Sequence, residues 1–265
     1  MIFLNPQWQG SGTVRELEDG ARTLSAFINK PGTIEVPLSH QSLDVSNGIF
    51  AYEPIRSQLE SFYSLVASHA PENISTIGGE CGIELIPVSY LNKYYNQDLA
   101  LLWFDGHADL NSPETSPSRH FHGMPVRFLL GEGDPGILKY AFSSLQQEQI
   151  IYVGVNDTDP AEENYILANN IDRVSSPDYS RIHKLLTQKK RRNIYIHFDL
   201  DVLSEKEFSF TPYPNRTGFG IAETCRIIVQ LRQDFNVVGT SVTESIALKA
   251  EQLMPIAILL KALIP

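Results

Sequence analysis

The sequence predicts a three-layer α/β/α fold, with a central, mostly parallel sheet of about eight strands in one domain spanning residues 1–265. Three observations point to it. Short apolar runs rich in β-branched and aromatic residues alternate with segments of helical period. Alternation of this kind suits a parallel sheet covered by helices on both faces. The two longest irregular segments, Asn111–Gly123 and Leu203–Gly220, each follow a strand directly, where open α/β sheets place their sites.

The strands are expected at Ile2–Leu4, Thr33–Val36, Ile74–Ile77, Leu99–Phe104, Ile150–Val153, Ile194–Phe198 and Val237–Val242, with a weaker one at Asp172–Val174. Helical patterns lie at Val14–Asn29, Glu53–Ser68, Ile83–Tyr95, Pro125–Leu130, Glu162–Ala168, Tyr179–Lys190, Ile221–Asp234 and Glu251–Leu263. The same alternation fits a closed eight-stranded barrel, but the first helices come too unevenly to favour it. There is no internal repeat, low-complexity tract or linker.

Composition narrows the function. The chain carries 21 basic and 31 acidic residues, a formal net charge of −10. Such a balance speaks against non-specific binding to nucleic acid or an anionic membrane. The one basic run, Lys189-Lys190-Arg191-Arg192, reads as a solvated helix end. Two cysteines, Cys81 and Cys225, make no disulfide framework and suit a reducing, cytoplasmic compartment. The N-terminal residues carry no charged leader and no long apolar run, so no signal peptide is expected. The apolar stretch Met254–Pro265 contains Lys261 and is too short to span a bilayer.

The chemistry lies at two strand ends. Leu99–Phe104 runs into Asp105-Gly106-His107-Ala108-Asp109, and Ile194–Phe198 runs into Asp199-Leu200-Asp201. Spaced by two, these polar side chains share one side if strand geometry continues. Four carboxylates and an imidazole meeting at one sheet edge would repel strongly without a counter-charge. Divalent ions are the ordinary remedy, and mixed oxygen and imidazole ligation suits Mn²⁺.

These motifs resemble those of the ureohydrolase (arginase–agmatinase) superfamily. The family's Gly-Gly-Asp-His, Asp-Ala-His-x-Asp, Ser-Phe-Asp-x-Asp and late Glu fall here, in order, on Gly78-Gly79-Glu80-Cys81, Asp105–Asp109, His197-Phe198-Asp199-Leu200-Asp201 and Thr243-Glu244-Ser245. The resemblance implies a centre of two Mn²⁺ ions. Asp105 and Asp199 would bridge them, His107 and Asp201 would complete one site, and Asp109 and Cys81 the other. It implies a metal-bridging hydroxide that attacks the guanidinium carbon of L-arginine or a similar amino acid, giving urea and ornithine. The catalytic set would be Glu244, orienting the guanidinium, His122, protonating the departing amine, and Asp109. His122 in His120-Phe121-His122-Gly123 also reads as an ordinary loop histidine.

The substrate tail is addressed by two loops. Asn111, Ser116 and Ser118 fall on arginase-like contact positions, and Asp159, supported by Asp157 and Glu162, would accept from an α-ammonium. Asp157–Glu162 equally suits an acidic helix N-terminus. His120 stands where arginases usually have Asn. Ser204-Glu205 replaces the usual Asp-Pro. The largest departure is Cys81, where the family has a metal-binding His; thiolate favours Zn²⁺ or Fe²⁺ over Mn²⁺. The same exchange occurs in the Nω-hydroxy-L-arginine amidinohydrolase branch. Cys81→His is therefore expected to strengthen Mn²⁺ retention. Hydroxyarginine hydrolysis, agmatinase and formiminoglutamase activity remain alternatives, as does a metal-poor family member without catalysis. Homo-oligomers are common in the family. Cys225, among Ile227, Ile228 and Leu231, is expected in the core.

Overall fold

A computed structural model describes residues 1–265. Eight strands form one sheet: β1 (Ile2–Asn5), β2 (Ile34–Glu35), β3 (Ile74–Gly78), β4 (Leu99–Phe104), β5 (Ile150–Val153), β6 (Asp172–Val174), β7 (Asn193–Phe198) and β8 (Asn236–Val242). Their order is β2-β1-β3-β8-β7-β4-β5-β6, and every pairing is parallel. The sheet is open, so the barrel reading falls away.

Both faces are covered because the central strands are apolar at successive positions. Along β4, Leu99, Leu101 and Trp103 join a core of 36 buried residues on one face, while Ala100, Leu102 and Phe104 join a core of 32 on the other. Helices Tyr52–His69, Leu85–Tyr94, Pro125–Leu129 and Pro160–Ala168 cover the first face. Glu16–Ile28, Tyr179–Gln188, Ile221–Asp234 and Ala257–Leu263 cover the second.

Helix ends differ modestly from expectation, for local reasons. The Ile83–Tyr95 pattern splits into a 3-10 turn, Cys81–Glu84, and a helix, Leu85–Tyr94. The last pattern breaks into Ala250–Leu253, a 3-10 turn at Met254–Ile256 and Ala257–Leu263, because Pro255 lacks the amide that a continuous helix needs. Pro160 at the first helical position extends the fifth expected helix backward to Pro160–Ala168. The basic run is tied down at its start and third position: Lys189 pairs with Asp172 at 2.7 Å, and Arg191 donates to the Gln97 carbonyl at 2.5 Å. Cys225 corrects an expectation. It is half-buried, at the edge of its core, beside exposed Val229 and Ile258. No helix is long and apolar enough to cross a membrane.

The topology creates the site. The last two strands, β7 and β8, are inserted between β3 and β4. Segments far apart in sequence therefore leave adjacent strands at one sheet edge, the position where parallel sheets form clefts.

Candidate metal centre and cleft

Backbone hydrogen bonds carry the ladder just past the strand ends and fix the motifs to one another. Asp105 N donates to the Val153 carbonyl at 3.2 Å and Asp199 N to Phe104 at 2.8 Å. Thr243 N donates to Phe198 at 3.0 Å and Glu244 N to Gly79 at 2.8 Å. The residues after β3, β4, β7 and β8 thus form one connected rim. Regular strand geometry does not continue: Asp109 (φ 49°) and Glu244 (φ 60°) are both left-handed, a conformation costly for these residue types. Such strain is tolerated where the surroundings impose it, and sites are where it collects.

The six expected ligands converge. His107 Nδ1 lies 2.9 Å from Asp201 Oδ2 and 3.6 Å from Asp105 Oδ1. The Cys81 thiol donates to Asp199 Oδ2 at 3.2 Å and lies 3.5 Å from the Thr243 hydroxyl. Candidate donor atoms group within 4.8 Å in three sets: Asp105, His107 and Asp201; Cys81, Asp199 and Glu244; and Cys81, Asp105, Asp109 and His197. The carboxylates are oriented from behind. Trp103 Nε1 donates to Asp105 Oδ2 at 2.9 Å, His107 N to Asp105 Oδ1 at 2.6 Å, Asp201 N to Asp199 Oδ1 at 2.7 Å and Gly106 N to Asp201 Oδ1 at 2.8 Å.

The electrostatics show what the cluster lacks. Burial, reinforced by neighbouring carboxylates, pushes Asp109 and Asp199 well above the usual range and Asp201 up to about 6. Burial also pushes up Asp105, but the neighbouring imidazoles of His107 and His197 outweigh it and hold that group low. His107 is raised, because Asp105 and Asp201 overcome burial. Burial and then Asp199 raise the Cys81 thiol. Asp109 Oδ2 is buried with no hydrogen-bond partner. Divalent cations fit this donor set. They would neutralise the acids, engage the orphaned oxygen and displace protons from the thiol and the imidazole.

The cleft above the cluster encloses about 220 Å³. Asp109, Asn111, Ser116, Ser118, His122, Asp159, Glu162 and Glu244 all line it, with Cys81, His107, Asp199 and Asp201 beneath. His122 Nδ1 sits 3.3 Å from Glu244 Oε1, and Glu244 Oε2 is buried without a partner. Glu244, first among the charges opposing burial, raises His122.

The substrate loop is partly committed to structure. Asp159 caps helix Pro160–Ala168 through Oδ1, which accepts from Ala161 N at 2.8 Å and Glu162 N at 3.0 Å. Its Oδ2 accepts from Asn111 Nδ2 at 2.7 Å. Glu162 spends both oxygens on backbone amides, those of Leu110 (3.0 Å) and Asp159 (3.1 Å). Asp157 does not line the cleft. It is exposed, 3.9 Å from His107 Nε2, in a neighbouring depression. Ser116 and Ser118 stand on the rim with their hydroxyls 3.4 Å apart.

Two neighbours of the site were missed by sequence reasoning. Tyr213, from the Leu203–Gly220 loop, lies with its ring centroid 5.8 Å from that of His107 and 5.9 Å from that of His122. No spacing signals it. His197 is buried beside Asp105; its signal was an imidazole in place of the expected Ser, two residues before Asp199.

Comparison with known proteins agrees with this geometry. The arginase family model matches residues 17–252. Arginase of Staphylococcus aureus (strain MRSA252) is 31% identical over 196 residues, covering 68% of this chain and 63% of that protein. Hepatic arginase of Aquarana catesbeiana is 33% identical over 170 residues, covering 59% of this chain and 52% of that protein. The matches thus span between half and two thirds of those relatives. Entamoeba histolytica arginase, solved in complex with L-ornithine, superposes with a TM-score of 0.84 at 19% identity, over 98% of this chain and 96% of that one. Formimidoylglutamase of Bacillus subtilis superposes with a TM-score of 0.75 at 18% identity, over 99% and 85%.

Proposed function

Because the chain belongs to the arginase family, we propose that it is a metal-dependent hydrolase of guanidino C–N bonds, acting on L-arginine or a close amino-acid relative. The observation that carries the substrate reading is the charge of the cleft. Asp109, Asp159, Glu162, Asp199, Asp201 and Glu244 line it, and no Lys or Arg does. A guanidinium suits such a cleft; formiminoglutamate, whose tail carries carboxylates, would meet acids with no basic partner.

Asp105, Asp199, His107 and Asp201 would hold one divalent ion, and Asp105, Asp199, Asp109 and Cys81 the other. When bound, such a pair lowers the pKa of a water between them and supplies hydroxide at neutral pH. Glu244 faces the cleft with an unpartnered oxygen, the acceptor a guanidinium N–H requires. His122 is placed to give the departing amine its proton as the C–N bond to the side chain breaks, and the oxygen that the guanidinium carbon gains would come from that hydroxide. Asn111, Ser116 and Ser118 offer neutral polar atoms to an amino-acid tail, and Asp159 Oδ2 an acceptor for its ammonium. The L-ornithine complex of the Entamoeba histolytica arginase supports an amino-acid product.

The test is a panel: L-arginine, Nω-hydroxy-L-arginine, agmatine and formiminoglutamate, with Mn²⁺, Zn²⁺ or Fe²⁺ added, read by release of the amine product. Highest kcat/KM on arginine or its hydroxylated form is expected. Preference for agmatine or formiminoglutamate overturns the substrate, and no turnover with any pair overturns the activity.

A further inference from the structure

His197 is the buried imidazole that the proposed chemistry leaves unused. It lies on β7 two residues before Asp199, fully buried and stacked on Trp103 with ring centroids 3.6 Å apart. Nδ1 lies 3.1 Å from Glu84 Oε1 and 3.3 Å from the Ser241 hydroxyl. Nε2 has no hydrogen-bond partner, although it lies 3.5 Å from Asp105 Oδ2. With the Nδ1 hydrogen given to Glu84, a neutral ring presents the Nε2 lone pair toward a carboxylate, and either a proton on Nε2 or a metal ion between the two makes that contact favourable.

Cys81, Asp105, Asp109 and His197 each place a donor atom within 4.8 Å of the other three. A thiol, an imidazole and two carboxylates are thus close enough together to hold a single ion. Imidazoles that bind metals ordinarily give their second N–H to a carboxylate, which fixes the tautomer and aims the free nitrogen. Glu84 does this, and it comes from the same 3-10 turn as Cys81.

We propose that His197 is a metal ligand, so that the softer site is held by Cys81, His197, Asp105 and Asp109, with His197 taking the place given to Asp199 above and Asp199 serving the other ion. The imidazole absent from position 81 is supplied from β7, two strands away from β3, and is aimed by Glu84. A mixed sulfur, nitrogen and oxygen set of four favours Zn²⁺, Fe²⁺ or Co²⁺ over Mn²⁺. This revises the expectation for Cys81→His. Alone, that change crowds a second imidazole against His197; paired with His197→Ser, it restores a harder site.

The inference rests on the metal reading of the cleft, and the experiment separates the two. The whole chain is loaded with Co²⁺, desalted, and examined for metal content, thiolate-to-cobalt charge transfer and imidazole scattering in X-ray absorption. The expected result is two ions per chain, a charge-transfer band and an imidazole on both ions. His197→Asn should lose one ion and weaken the band. Glu84→Gln should retain the set with about 10- to 100-fold weaker affinity at that site. An imidazole on only one ion of the wild-type protein overturns the inference, and requires no variant to fold. So does His197→Asn with unchanged stoichiometry and spectrum, which makes His197 a positioning residue for Asp105. No cobalt bound by the wild type overturns the metal reading itself.

Discussion

His122 and Glu244 show how few contacts separate a structural from a chemical role. His122 is partly exposed and touches one acid, Glu244 Oε1, at 3.3 Å. Little packing depends on it, so His122→Asn is expected to fold normally, leave KM nearly unchanged and lower kcat by about 10²–10⁴-fold, the usual worth of a positioned general acid. A variant with wild-type kcat would return His122 to an ordinary loop histidine. Glu80 sits deeper and has a thermodynamic signature. It accepts from Gln7 Nε2 and from Gly82 N, yet burial raises it from 4.5 to about 7. Between those values the folded chain keeps a proton that the unfolded chain has released. Stability therefore falls as pH rises through that window, by roughly 3 kcal/mol in all. In chelator-treated protein, Glu80→Gln should flatten this slope between pH 5 and 8. An unchanged slope places the titration elsewhere.

At the level of elements, helix Glu16–Ile28 braces the Glu244 loop. Gly20 is buried on that helix, and a Cβ there would collide with the Ser245 carbonyl oxygen. Helix propensity alone says that Gly20→Ala stabilises by up to about 1 kcal/mol. The close approach reverses the sign: a net loss of about 1–3 kcal/mol is expected. Because Ser245 adjoins Glu244, kcat/KM should fall with it. Denaturation midpoints and steady-state kinetics check both, and a stabilised variant with full activity would show that the helix and loop do not constrain each other. Most elements were legible because their hydrophobic period is strong, as in helix Ile221–Asp234, whose bounds agree with the pattern. Breaks such as Met254–Ile256 escaped because one proline interrupts an otherwise continuous apolar run.

Across the whole molecule, the strand-end motifs were readable because each closes an apolar strand. Their meeting at one sheet edge was expected too, but the strand order that produces it was not readable, since nothing in the local pattern says that β7 and β8 insert between β3 and β4. That insertion brings Cys81 to Asp199 and His197 to Asp105. It also explains why Tyr213 and the His197–Glu84 pair were hidden: each is defined by partners more than a hundred residues away or by a loop without a period. The same convergence concentrates buried acid, so loading with divalent metal should raise Tm. The gain should shrink as pH falls through about 6, where Asp201 takes up a proton and competes with the ion. A Tm shift that does not depend on pH would argue that the ions bind elsewhere.

The most direct measurement is ornithine release from L-arginine by protein first stripped with chelator and then titrated with a divalent metal, beside the same titration of Asp199→Asn. Asp199 joins Cys81 to the rest of the cluster and is buried at 3% exposure. The expected result is no turnover when stripped, recovery that saturates with the ion, and little recovery in the variant. Full turnover by the stripped protein, or equal recovery by Asp199→Asn, would contradict a metal-dependent hydrolase at this cleft.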